Sequence, residues 1–255
     1  MRPNKVKQLW REGKPVAAGW CSTPDPYTAE VMVRAGFDAI VLDMQHGMGI
    51  GPDRAATWLQ IIGQADVTPL VRIPWNEPTF AQWVLDAGAM GIIVPMVNSV
   101  EDARKAIGAC RYPPVGYRSN GPNRARYVGG ADYFSRANDE VICLLMMETI
   151  EAVDAIEEIA KLPGSDGFYI GPTDLAISMG LQPALDHKDP KHAAVVQKVV
   201  DTAKAHNLQA GIHVTGPEEA ARRWKQGFSL SPVIMDMAAL STAAQNAISQ
   251  FREGV

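Results

Sequence analysis

The sequence has few cysteines, little net charge and no long apolar run. Its three cysteines, Cys21, Cys110 and Cys143, include no pair at CxxC spacing, so buried reduced thiols are expected rather than disulfides or a metal site. A formal net charge of -4 with scattered basic residues gives no electrostatic footprint for nucleic acid. No apolar run approaches the length of a membrane span. These absences favour a small-molecule substrate and make a nucleic-acid or membrane partner unnecessary.

Lysines are missing from the ends of the apolar runs, and a secretion signal is missing from the N-terminus. Chemistry through a Schiff base requires a lysine inside the active site, so the sequence offers no obvious candidate for it. The segment MRPNKVKQLWREGK is basic but lacks the apolar stretch and small-residue cleavage site of a secretion signal. A cytoplasmic protein is therefore expected.

Eight short apolar runs alternate with segments at helical spacing, which is typical of parallel strands joined by crossover helices. The runs occupy residues 15–21, 38–44, 68–73, 91–97, 141–148, 166–172, 209–214 and 228–234. Eight strand-helix units in 255 residues predict an α/β fold, a (β/α)8 TIM barrel that forms a single domain over residues 1–255. A doubly wound open sheet is the alternative.

Helical spacing and glycine stop signals predict eight helices between and after these runs. They cover residues 27–35, 53–64, 79–87, 100–109, 150–161, 190–205, 217–226 and 236–251. The segment 111–134 is predicted to be a long irregular loop, and loops of that length are usually functional or lie at an interface. The pair His187 and His192 in DHKDPKH is interpreted as part of a solvated polar loop rather than a soft-metal site.

Charged side chains recur at the ends of the predicted strands. Asp43 and His46 end the second run, Arg72 lies near the end of the third, Glu148 ends the fifth, and Asp174 follows the sixth. Each one alone is compatible with a surface residue at a strand-loop junction. Because the carboxyl ends of TIM-barrel strands form the active-site face, their common placement predicts an active site there.

The two carboxylates Glu148 and Asp174 lie on neighbouring strands and should converge on one pocket. Two oxygen ligands, with the other positions left to water and substrate, suit Mg²⁺ or Mn²⁺. An acid and base pair of the glycosidase kind is equally compatible with the spacing, and so is a helix N-cap role for Asp174. The spacing leaves these three readings open.

Arg72 lies on an otherwise apolar strand, where a guanidinium requires an anionic partner. That partner is either a substrate carboxylate or developing oxyanion, or an ion-pair partner, Asp43 or Glu148. His46 has the chemistry of a base near neutral pH, and Asp43 is placed to fix the tautomer and orientation of its ring. His213 ends the seventh run and also faces the active-site end by position, with an open role.

Several motifs, taken together and in order, resemble the HpcH/HpaI aldolase family of metal-dependent (class II) pyruvate aldolases. This family includes 4-hydroxy-2-oxoheptanedioate aldolase and 2-dehydro-3-deoxyglucarate aldolase. The resemblance covers nearly the whole chain, and its carriers are LDMQHG, PLVRIP, LDAGAMGIIVPMV, GYRSNGP, MMETIEAV and GFYIGPTDLAISMG.

The resemblance implies a TIM barrel of the phosphoenolpyruvate/pyruvate type that cleaves 4-hydroxy-2-oxo acids reversibly to pyruvate and an aldehyde. Glu148 and Asp174 would hold Mg²⁺, Mn²⁺ or Co²⁺. His46, oriented by Asp43, would be the acid/base, and Arg72 would stabilise the enolate. The alternatives are an acyl-CoA lyase of the citramalyl-CoA or malyl-CoA type, and a noncatalytic metabolite-binding barrel.

The same resemblance implies substrate-binding and intersubunit roles. Gly171, Pro172 and Thr173 would place backbone near the pyruvate carboxylate. Asp86, in LDAGA, resembles an acid that the family brings to a neighbouring subunit's site, which implies a homo-oligomer, a hexamer built as a trimer of dimers. The last helix, 236–251, would be exchanged and pack on a neighbour.

The chain departs from the family's pattern near the expected aldehyde pocket. Gln45 stands between Asp43 and His46 where the family often has Glu, and Ile212 and His213 replace a Phe-Cys-like ending of the seventh strand. The departures leave the identity of the aldehyde open.

Overall fold

A closed barrel of eight parallel strands, paired in chain order, forms the centre of the computed structural model, which describes residues 1–23 and 25–254. The strands are β1 Val16–Cys21, β2 Ala39–Asp43, β3 Thr68–Arg72, β4 Gly91–Val94, β5 Ile142–Met146, β6 Gly167–Ile170, β7 Gln209–Ile212 and β8 Leu230–Met235. The predicted (β/α)8 barrel is confirmed, and the open doubly wound sheet is excluded because β1 pairs with β8.

Thirteen helices surround the barrel in the described residues. They are α1 Lys5–Arg11, α2 Pro26–Val33, α3 Pro52–Ile62, α4 Pro78–Asp86, α5 Val100–Cys110, α6 Asn123–Gly129, α7 Tyr133–Glu140, α8 Ile150–Asp154, α9 Ile156–Ala160, α10 Pro172–Ser178, α11 Pro190–Ala205, α12 Pro217–Lys225 and α13 Asp236–Glu253. None of the helices that the structure describes is long and apolar enough to cross a membrane. All eight predicted helical segments are helical, although 150–161 is two helices, α8 and α9.

Proline determines where many of the helices begin. It occupies the first helical position of α2, α3, α4, α10, α11 and α12. The missing amide hydrogen of proline costs nothing there, and its fixed φ suits the first turn. Asp25 and Asp189 add side-chain caps, each accepting from the two backbone amides at the start of α2 and α11.

The predicted irregular loop 111–134 is wrong in part, because it contains α6 and the start of α7. Contacts from distant parts of the chain hold α6 in place. Arg124 donates to the carbonyl oxygen of Ala87 at 2.5 Å and to that of Leu59 at 3.0 Å. Such long-range support of a seven-residue helix leaves no local periodic signal.

The N-terminal helix α1, which the sequence pattern did not predict, closes the amino-terminal end of the barrel. Val6 packs into the apolar interior with Val16, Ala39 and Leu70 from the strands. Asn4 caps α1 and donates to the carbonyl oxygens of Met90 and Glu140. A second, larger apolar layer lies between the strands and the outer helices. In the described part of the chain, the cavity that remains at an end of the barrel lies at the carboxyl ends of the strands.

Candidate active site

A cavity of about 350 Å³ lies at the carboxyl ends of the strands. The predicted residues that line it are Asp43, His46, Arg72, Gly171, Pro172, Thr173 and Asp174. Two larger cavities, of about 610 and 470 Å³, lie on the outside of the barrel and contain none of these residues. The structure therefore brings most of the predicted site residues together at one place.

Arg72 and Asp43 form a two-point ion pair at the base of this cavity. The two residues are register partners on β3 and β2. Nε of Arg72 donates to Oδ1 of Asp43 at 2.9 Å, and Nη2 donates to Oδ2 at 2.5 Å. Burial by itself raises the pKa of Asp43, but the hydrogen bonds and charge of Arg72 outweigh it and hold that pKa below its usual value. Asp43 is therefore an anion that fixes the guanidinium, while Nη1 has no hydrogen bond to any described residue.

Asp43 orients His46 through the backbone rather than through the ring. Its Oδ1 accepts from the backbone amides of Gln45 at 3.0 Å and His46 at 3.2 Å, and its Oδ2 accepts from Nε1 of Trp20 at 3.2 Å. With Arg72 these donors occupy the carboxylate. Among the described residues the predicted contact between Asp43 and the imidazole is not formed, and the side chain of His46 stands exposed at the cavity rim.

Glu148 is buried just behind the cavity wall. Its Oε1 accepts from the backbone amide of Met96 at 2.7 Å, and Met96 has a left-handed backbone with φ of +52°. Burial raises the pKa of Glu148 to about 7, the Met96 hydrogen bond lowers it, and the negative charge of Asp174 raises it. A Cβ at position 171 would lie 2.4 Å from Oε2 of Glu148. Glycine at this position lets the backbone approach the carboxylate.

Asp174 is the third residue of α10, with its side chain exposed on the cavity. The N-cap of α10 is Gly171, so the N-cap role considered for Asp174 is wrong: the helix begins at Pro172, before Asp174. A carboxylate in the first turn is still favourable, because it faces the positive end of the helix dipole. The carboxylate of Asp174 therefore lines the cavity and does not cap the helix backbone.

The chemistry of Glu148 and Asp174 fits a hard divalent cation. The described residues contain no cluster of three or more His, Cys, Asp or Glu side chains placed to hold a metal. A pair of carboxylates beside a cavity leaves the remaining positions to water and substrate, as Mg²⁺ commonly requires. The charge of Asp174 raises the pKa of buried Glu148, and a cation between them would replace this repulsion by attraction.

Asp86, at the end of α4, lies outside the cavity. Its Oδ1 accepts from Nη2 of Arg118 at 2.7 Å. Arg118 is itself buried, with its guanidinium 4.6 Å from the ring of Tyr112 and 5.6 Å from that of Tyr133. Within this chain Asp86 therefore does not contribute to the site, and its action in a neighbour's site stays a prediction.

Sequence comparison identifies the family of the chain. The sequence model of the HpcH/HpaI aldolase/citrate lyase family matches residues 18–240. The chain belongs to this family. A hydroxypyruvate/pyruvate aldolase of Rhizorhabdus wittichii is 38% identical over 249 residues, 98% of this chain and 99% of the relative. A 4-hydroxy-2-oxo-heptane-1,7-dioate aldolase of Escherichia coli is 32% identical over 251 residues, 97% of this chain and 95% of the relative.

A solved structure of an HpcH/HpaI aldolase/citrate lyase family protein from Burkholderia cenocepacia agrees with this assignment. It matches with a TM-score of 0.87 at 30% identity, covering 98% of this chain and 99% of that one. The resemblance expected from the motifs is confirmed. This member of the HpcH/HpaI family is an enzyme, a lyase of the aldolase type.

The sequence patterns did not predict several residues of this HpcH/HpaI site. Trp20 donates to Asp43, lies 5.0 Å from the guanidinium of Arg72, and meets the ring of His213 edge-on at 4.6 Å. The hydroxyl of Tyr169 lies 3.2 Å from Nδ1 of His213. Trp20 and Tyr169 occupy inward-facing positions near the carboxyl ends of β1 and β6, and this placement is the sequence signal that could have identified them.

His192, which the sequence pattern did not place at the site, supports the segment that begins α10. Its Nε2 lies 3.0 Å from the carbonyl oxygen of Pro172, and the side chain is buried. Burial lowers the pKa of His192, so the ring is neutral and donates this hydrogen bond. The interpretation of His192 as part of a solvated loop is therefore wrong, because α11 packs it against the cavity wall.

Proposed function

We propose that the chain catalyses the reversible aldol cleavage of 4-hydroxy-2-oxo acids to pyruvate and an aldehyde, with Glu148 and Asp174 as ligands of a divalent metal. The observation that carries the proposal is one cavity lined by the carboxylate of Asp174, a fixed guanidinium and an imidazole, with the carboxylate of Glu148 buried directly behind its wall. Relatives named pyruvate aldolase support the substrate class. Membership of their family favours a cation site over a glycosidase-like acid and base pair.

A bound Mg²⁺, Mn²⁺ or Co²⁺ supplies Lewis acidity toward the keto oxygen of the substrate. In cleavage, His46 takes the proton from the C4 hydroxyl, the C3–C4 bond breaks, and the electron pair stays on the pyruvate half as an enolate. Return of a proton to C3 completes pyruvate, and the aldehyde leaves. Nη1 of Arg72 donates to the oxygen on which negative charge appears.

The residues around Arg72 make it a preorganised donor. Asp43 holds Nε and Nη2 on one side, and the ring of Trp20 lies against the guanidinium. The donor therefore needs no reorganisation when the charge develops, which is the condition under which such stabilisation is largest. Gly171, Pro172 and Thr173 line the cavity beside Asp174 and receive the pyruvate carboxylate.

We further infer a homo-oligomer in which α13 is exchanged. The helix carries exposed apolar side chains, and the outer face of β8 and β1 is left with a groove of about 470 Å³ lined by Val16, Trp224, Phe228 and Val233. We propose that a neighbour's α13 packs in this groove and that a neighbour's Asp86 completes the site. The hexamer of three dimers and the cytoplasmic location stay predictions from the sequence.

Exchange of the pyruvate methyl protons in D₂O, followed by proton NMR, tests the proposal without the natural aldehyde. We expect exchange that thorough chelation with EDTA abolishes and that Mg²⁺, Mn²⁺ or Co²⁺ restores. Full exchange after chelation, with borohydride trapping pyruvate on a lysine, would contradict the metal mechanism.

The exchange assay and a comparison of cleavage substrates separate the alternatives. Pyruvate binding without any proton exchange would favour the noncatalytic metabolite-binding barrel. Faster cleavage of citramalyl-CoA or malyl-CoA than of free 4-hydroxy-2-oxo acids would favour the acyl-CoA lyase.

A further inference from the structure

The two walls of the active-site cavity differ in charge. One wall, formed at the ends of β3 and β6, carries Arg72 and Asp174, and Glu148 is buried behind it. The other wall, formed at the ends of β7, β8 and β1, contains His213 and Met235 beside Trp20. The first wall holds the anionic pyruvate half of the substrate in the proposed function, so the aldehyde half faces the second.

The protonation of His213 follows from its neighbours. Tyr169 is fully buried, and burial raises its pKa well above the usual value, so its hydroxyl keeps the proton. Burial, reinforced by the charge of Arg72, lowers the pKa of His213 to about 4, so the ring is neutral near pH 7. The phenol therefore donates to Nδ1 at 3.2 Å, and the single ring proton lies on Nε2.

Among the residues that the structure describes, this Nε2–H has one partner, and it is a weak acceptor. It points at the thioether sulfur of Met235 at 3.2 Å, and a thioether is a poor acceptor. The edge-on contact with Trp20, at 4.6 Å and 86°, fixes the plane of the imidazole. A neutral donor with a fixed direction therefore stands at the cavity wall, and an oxygen atom would satisfy it better than sulfur does.

We propose that Nε2–H of His213 donates a hydrogen bond to a hydroxyl oxygen on the aldehyde half of the substrate, which makes this enzyme selective for hydroxylated aldehydes. The inference rests on the proposed aldolase function. A neutral donor suits a hydroxyl group, and the cation nearest to this wall, Arg72, is held by Asp43 and donates to the enolate oxygen in the proposed function.

Glycolaldehyde and propanal test the proposal, because they differ by a hydroxyl in place of a methyl group of similar size. Condensation of each aldehyde with pyruvate gives the ratio of the two kcat/KM values. We expect the wild-type enzyme to prefer glycolaldehyde by about tenfold or more, the value of one hydrogen bond to a positioned donor. A wild-type enzyme that accepts propanal as readily as glycolaldehyde would overturn the proposal without any variant.

Substitutions then assign the preference to the imidazole. In His213→Phe and His213→Leu we expect the ratio to fall by about tenfold, whereas His213→Gln, which keeps a donor, should retain most of it. Met235→Leu removes the competing acceptor and should keep or increase the ratio. An unchanged ratio in either donor-less variant, or an equal fall in the Gln variant, would contradict the role of His213.

The ratio is measured within one preparation, so a loss of active protein cancels. Failure of the proposed function gives a different result: the wild-type enzyme would show no exchange of pyruvate methyl protons and no condensation with either aldehyde. If pyruvate methyl protons exchange but the ratio of the kcat/KM values is the same in the wild type and the donor-less variants, only the role of His213 is rejected.

Discussion

At the scale of single residues, the site depends on buried charges that are held by specific partners. Arg72 and Asp43 are nearly inaccessible to water, and each would be costly without the other. Glu148 is also buried, but its nearest charges include Asp174, which opposes its ionisation. The first pair is satisfied within the chain, whereas in the proposed function the carboxylate pair binds a cation.

For Arg72, we expect Arg72→Ala to lower turnover by a factor of about 10² or more, because a preorganised donor to the developing oxyanion is removed. Arg72→Lys keeps the charge but loses the two-point contact with Asp43, so an intermediate loss is expected. Steady-state cleavage rates and pyruvate proton exchange measure both. Near-normal turnover of the alanine variant would rule out the role assigned to Arg72.

For Glu148, the metal-free protein should lose stability as pH rises. The pKa is about 4.5 in the unfolded chain and about 7 in the fold, so the folded state binds the extra proton between these values and stability falls across that window. Glu148→Gln removes this penalty and should be more stable than the wild type at pH 8 in EDTA. Thermal unfolding measures the difference.

Metal supplies the control for Glu148. Added Mn²⁺ should stabilise the wild type at pH 8 and have a much smaller effect on Glu148→Gln. A glutamine variant that is no more stable than the wild type in EDTA would show that the carboxylate carries no such penalty.

At the scale of elements, local signals and long-range contacts account for different parts of the molecule. Apolar runs that stop at Asp43, Arg72 and Glu148 are visible in the sequence, and these residues do lie at one end of the barrel. The partners of these side chains are not visible, because Trp20 and Met96 reach them across strands and loops that are distant along the chain. The sequence offered Asp43 and Glu148 as ion-pair partners of Arg72, and the register of β2 with β3, which sets Asp43 opposite Arg72, selects Asp43.

Helix α6 illustrates the long-range part and carries a prediction of its own. Arg124 satisfies carbonyl groups at the ends of α3 and α4, so Arg124→Ala should reduce the free energy of unfolding by about 1–3 kcal/mol. Arg126, exposed on the same helix, is the matched control, and Arg126→Ala should change stability by less than about 0.5 kcal/mol. Urea unfolding measures both variants, and equal effects would contradict the structural role of Arg124.

At the scale of the whole molecule, α13 is the helix that packs least against the rest of its own chain. Asp236, the first residue of α13, accepts hydrogen bonds from the backbone amides of Ser22 and Thr23 and so anchors the start of the helix. Every residue from Leu240 to Gly254 is exposed. The exposed apolar side chains lie on one face at helical spacing: Met237, Leu240, Ile248 and Phe251. An exposed apolar stripe of this length and the groove on the outside of β8 and β1 are the two features that motivate the proposed contact with a second copy.

If a second copy covers these surfaces, charge on the stripe should dissociate the assembly. We expect the wild type to have a molar mass several times the 27.6 kDa of one chain by light scattering, and Leu240→Glu with Phe251→Glu to shift it toward a single chain. Gln245→Glu with Gln250→Glu adds the same charge at exposed polar positions and should leave the mass unchanged. In the proposed oligomer a neighbour's Asp86 completes the site, so the dissociated variant should also lose turnover while keeping the fold. A wild-type mass of 27.6 kDa would instead mean that α13 is not exchanged.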